Sequence, residues 1–115
     1  MTDSLKDTMI DIARSTIPPV IVTERDIEKM TEYGIPDYMQ YGLIHYFEQR
    51  QPTGDFLRAV LENDLIGAFI FADDENKEYM RSYVMWLYNC PPGRSPNTWG
   101  SPAAVENWLA GARDD

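Results

Sequence analysis

The chain has 115 residues, with ten basic and nineteen acidic side chains and a formal net charge of -9. At 13.3 kDa and a pI near 4.4 it has room for one core rather than two, and it lacks the basic footprint that displaces counterions from nucleic-acid phosphates. With 43% hydrophobic residues and a lone cysteine, Cys90, it reads as a reduced, cytosolic folded domain without a disulfide or a cysteine-built zinc site. No apolar run approaches the roughly 20 residues of a membrane span, and no secretory signal is expected.

Capping residues and prolines divide the chain into short helices. Ser4 to Thr16 carries Leu5, Met9, Ile12 and Ala13 at helical spacing, with an acidic stripe of Asp3, Asp7 and Asp11, and Pro18-Pro19 stops it. Val20-Ile21-Val22 is β-branched and reads as a short strand or an extended linker. Thr23 opens a second helix with Asp26 in capping-box position, Ile27 and Met30 facing inward and Gly34 closing it. Pro36 suits the first turn of a third helix running to about Gln49, whose apolar face is Met39, Leu43, Tyr46 and Phe47.

Pro52 to Asp55 forms a turn and a new N-terminus, followed by Phe56, Leu57, Val60 and Leu61 at helical spacing. Asn63-Asp64 offers the next break. Leu65 to Ala72 is apolar nearly all round, which predicts a helix in the middle of the core. Asp73 or Asp74 caps a further helix with Met80, Tyr83, Val84 and Leu87 inward, and Cys90 to Gly100 reads as a loop. Ser101-Pro102 starts the last helix, docked by Val105, Trp108 and Leu109. The expected fold is a single all-α domain over residues 1–115, an orthogonal bundle of six or seven short helices. Its core is predicted to hold Leu57, Val60, Leu61, Leu65, Phe69, Val84 and Leu87, with Trp99 packed where the loop returns.

Catalysis needs convergent polar groups, and the sequence offers few. His45, the only histidine, has Glu48 three residues on and Tyr41 four before it, but no serine or cysteine nucleophile adjoins them. Cys90 has no neighbouring cation in sequence to lower its pKa and reads as structural. Asp73, Asp74, Glu75 and Glu78 lack the alternating oxygens and turn glycine of a calcium loop, and capping accounts for them. No phosphate-binding loop, nucleophile elbow or paired-histidine motif occurs. The expectation is therefore no enzyme, no cofactor and no metal.

The aromatic content is more informative. Seven tyrosines and three tryptophans are many for this length, and these residue types dominate binding hot spots. Tyr38, Tyr41 and His45 fall at i, i+3 and i+7 on one side of the third helix, away from Met39, Leu43 and Phe47. With Asp37 and Glu48 as an acidic rim, these five residues are the candidate partner-binding site.

From Gly34 onward several strings run in a recognisable order. They are Gly34-Ile35-Pro36-Asp37-Tyr38-Met39, Phe56 to Leu65 (FLRAVLENDL), Ala72-Asp73-Asp74-Glu75-Asn76, Trp86-Leu87-Tyr88-Asn89, Trp99-Gly100-Ser101-Pro102 and Trp108-Leu109. In these the chain resembles a group of small uncharacterised proteins of tailed phages and prophages of Gram-negative bacteria. The resemblance covers residues 34–109, leaving 1–33 as variable N-terminal helices, and the Pro91 to Thr98 loop is longer than the pattern. It implies a phage-side accessory protein in the host bacterial cytoplasm and carries over no catalytic residue.

Two functions follow. The first is non-catalytic binding of a host or phage protein, with no direct nucleic-acid or membrane contact. The alternative is a nucleic-acid mimic that inhibits a host DNA- or RNA-handling or defence complex, such as a CRISPR effector. Net charge is spread as -4, -2 and -3 over residues 1–37, 38–72 and 73–115, whereas a mimic needs a dense acidic track, so binding ranks first.

Overall fold

The computed structural model describes residues 20–113, so the helix expected over Ser4 to Thr16 lies outside the described residues. Within them the chain is all-α, with eight helices: α1 (Glu24–Tyr33), α2 (Asp37–Gln49), α3 (Asp55–Leu61), α4 (Leu65–Phe71), α5 (Asp74–Glu78), α6 (Met80–Asn89), α7 (Pro91–Arg94) and α8 (Pro102–Arg113). Val20 to Val22 leads into α1 without regular secondary structure, with Val22 buried, and is not a strand.

Local chemistry sets most of these boundaries. The Thr23 hydroxyl accepts from the Asp26 amide at 3.2 Å, and the Asp26 carboxylate accepts from the Thr23 amide at 3.0 Å, a reciprocal capping box. Gly34 ends α1 at φ 99°, where its amide reaches the Met30 and Thr31 carbonyls; a side chain is strained in that conformation. Pro36 is the residue before α2 rather than its first turn. Asp64 and Asp73 cap α4 and α5 by accepting from the Gly67 and Asn76 amides at 2.9 and 2.7 Å. The Ser101 hydroxyl accepts from the Ala104 amide at 3.1 Å and starts α8.

Two helices were not expected. Tyr79 divides the stretch after Asp73 into α5 and α6. The expected loop after Cys90 begins with the short α7, which Pro91 and Pro92 favour as first-turn residues.

The core is built from α1, α2, α3, α6 and α8. Met30, Leu43, Tyr46, Phe47, Leu61, Tyr83, Trp86, Leu87 and Val105 are all but fully buried. Rings interlock there, Phe47 edge-on to Tyr46 with centroids 5.2 Å apart and Phe56 edge-on to Tyr83 at 5.2 Å. Their polar tips are satisfied: Trp86 Nε1 donates to the Asp26 carbonyl at 2.9 Å, Trp108 Nε1 to the Tyr46 carbonyl at 2.8 Å, and Trp99 Nε1 to the Gly93 carbonyl. Trp99 is partly buried against the core, as expected.

The predicted core needs correction at four positions. Leu57, Leu61 and Leu87 are buried, but Leu65, Phe69 and Val84 are exposed, and Val60 is only partly covered. A helix apolar on every side does not say which side turns inward. In α4 the inward side is the small one, Gly67 and Ala68 with Ala72 just beyond, which lets α4 lie close on α3 while its large side chains point out. In α6 the buried stripe is Ser82, Tyr83, Trp86 and Leu87, so the helix is turned about one residue from the expected register and Val84 faces out.

Candidate functional site

The periodicity of α2 separates two faces. Gln40, Leu43, Tyr46 and Phe47 point inward, which forces Tyr38, Tyr41 and His45 to the outside. Tyr38 is 54% and Tyr41 68% exposed, and the Tyr41 and His45 rings lie 5.9 Å apart at 53°. Asp37 in the first turn and Glu48 near the last are both exposed. All five predicted residues therefore lie on the outer surface of α2, with the three rings on one side of it. Met39, expected on the apolar face, is partly buried.

Tyr38 does more than sit on the surface. Its hydroxyl donates to the Asp73 carboxylate at 2.9 Å, and Asn76 Nδ2 donates to the same hydroxyl at 3.4 Å. The buried Asn76 in turn accepts from the Tyr83 hydroxyl. This chain of polar groups ties the outer face of α2 through the start of α5 into the core at α6. It also fixes the Tyr38 ring, so the face is ordered before any partner arrives and loses little entropy on contact.

The same bonds tune the groups involved. The Asn76 amide and then the Tyr38 hydroxyl hold the Asp73 carboxyl below its ordinary value. Desolvation, followed by the adjoining Asp73, pushes the Tyr38 phenol up, so it stays a neutral donor. Burial pushes the Tyr83 phenol up as well. Cys90 is buried, and desolvation raises its thiol, so it is held protonated and poorly nucleophilic.

Asp73 and Asn76 are the members of this site that sequence reasoning missed. Asp73 was legible only as a helix cap, and nothing in the pattern marked Asn76 as the buried link between two tyrosines. Clefts of about 390 and 420 Å³ lie beside α7, one against α6 and one against α1, and neither is lined by Tyr38, Tyr41 or His45. Among the described residues no cluster of three metal-ligating side chains forms, and no helix is long and apolar enough to cross a membrane. Comparison with protein-family models, with curated proteins and with solved structures finds no match to this chain.

Proposed function

We propose that the protein works by non-catalytic binding of another protein, with the Tyr38–Tyr41–His45 face of α2 as the contact surface. The observation that carries this reading is the split in the aromatic residues. Tyr46, Tyr83 and Trp86 fill the core, while Tyr38 and Tyr41 are held outside on one helix beside His45. Tyrosine supplies contact area at little entropic cost, and it is enriched where interfaces concentrate their energy. The acidic rim of Asp37, Glu48 and Asp73, on a chain of net charge -9, favours a partner with a basic surface and faster encounter at low salt. The resemblance to tailed-phage and prophage proteins supports a setting in the bacterial cytoplasm, with a host or phage protein as the partner.

The test is affinity capture from host lysate, before and after phage infection, using wild type and a Tyr38→Ala, Tyr41→Ala double variant of unchanged helicity. Tyr38→Phe serves as the control that keeps the ring and loses only the hydroxyl's bonds to Asp73 and Asn76. The reading expects capture by wild type and Tyr38→Phe and loss of capture by the double variant. Undiminished capture by the double variant would remove it.

A further inference from the structure

The exposed side of α4 has a shape and composition that the α2 face does not explain. Leu65, Ile66, Phe69 and Ile70 are 66%, 74%, 44% and 70% exposed. They fall at i, i+1, i+4 and i+5 and so share one side of the helix, facing away from Gly67 and Ala68. Exposed Val84 on α6 extends that side, and with Val60, Leu65, Ala68 and Met80 it surrounds a mostly apolar hollow of about 70 Å³, bordered by Asn63 and Asp64 where α4 begins. These side chains leave on the order of 600 Å² of apolar surface in water, the upper end of what a monomeric protein exposes.

Charge narrows the choice of occupant. Between Asp64 and Asp73 no residue is charged, and α4 is the one helix among the described residues without a charged side chain. A basic partner drawn by the acidic surface gains nothing there. Two copies of this chain, each of net charge -9, repel over most of their surface, and the α4 face is where they can meet with least repulsion. We propose that this face joins two copies of the chain in a two-fold symmetric dimer.

Doubling the exposed patch gives about 1,200 Å² of buried surface, the threshold size of a specific interface. A two-fold interface must be self-complementary. Protruding Ile66 and Phe69 beside the Val84 hollow provide both the projection and the recess on one surface.

The proposal stands apart from the α2 reading, and the two fail separately: one is read by molecular mass and the other by partner capture. Sedimentation equilibrium of the full chain, from low to high micromolar concentration, should show a mass rising toward twice 13.3 kDa. Raising the salt concentration should tighten the association, because it screens repulsion between the acidic copies. Ile66→Glu with Ile70→Glu changes two exposed positions to a better helix former and brings like charges together across the interface. This variant should keep its helical circular dichroism and associate about 100-fold or more weakly. A wild-type chain that stays at 13.3 kDa throughout, or a double variant that associates as tightly as wild type, would overturn the proposal.

Discussion

Leu61 and Ile66 lie five residues apart, on either side of the Glu62-Asn63-Asp64 break, yet the fold treats them oppositely. Leu61 is fully buried at the end of α3, and its carbonyl accepts from the Gly100 amide at 2.7 Å. That bond pins the main chain, so the surroundings can collapse only partly into a cavity left by Leu61→Ala. The cost should lie in the upper part of the range for buried leucines, about 3–5 kcal/mol. Ile66 is 74% exposed, so only a quarter of its transfer free energy, about 0.4–0.8 kcal/mol, is at stake. Alanine recovers part of this through its higher helix propensity, leaving a net change within about 0.5 kcal/mol. Urea unfolding at low chain concentration, where self-association does not enter, measures both. A loss below about 1 kcal/mol for Leu61→Ala, or above about 1.5 kcal/mol for Ile66→Ala, would refute the inward and outward assignment of α3 and α4.

Three further outcomes are expected. Ser101→Ala removes the hydroxyl that accepts from the Ala104 amide and should cost about 1 kcal/mol, lowering Tm by about 4–8 °C in a thermal melt. Gly93→Ala would place a Cβ into the Leu87 backbone, forcing α7 off α6, and should cost at least about 2 kcal/mol by urea unfolding; a neutral variant would contradict that close approach. The folded Asp73 carboxyl titrates below its ordinary 3.8, so its contribution is complete above that value and lost as the pH falls through the depressed one. Urea midpoints followed down through this window should therefore fall less in Asp73→Asn than in wild type, and equal losses would count against the Asn76-amide and Tyr38 bonds that hold the Asp73 carboxylate.

Local chemistry was legible in the sequence wherever one short motif determines one geometry. The Thr23–Asp26 capping box, the αL Gly34 and the Ser101 cap all formed as their residue types require. The outward placement of Tyr38, Tyr41 and His45 was legible for a related reason: Leu43 and Phe47 set which side of α2 faces the core. Where every side of a helix is apolar, periodicity carries no such information. In α4 the inward side is the small one: the Asp64 cap fills the space a Gly67 side chain would need, and Ala68 is the buried side chain beside it. In α6 the buried stripe turned about one residue because Trp86 reaches the Asp26 carbonyl, a contact sixty residues away in sequence that no local window contains. The Tyr38–Asp73–Asn76–Tyr83 chain was invisible for the same reason, since it joins three separate helical segments.

The central claim is that the exposed ring pair of α2 carries the binding energy for a protein partner. Isothermal titration of the captured partner with wild type and with the Tyr38→Ala, Tyr41→Ala variant tests it most directly. If these rings are hot-spot residues, the variant should bind about 30-fold more weakly or worse while keeping its helical spectrum. Equal affinity for the two proteins would contradict the claim.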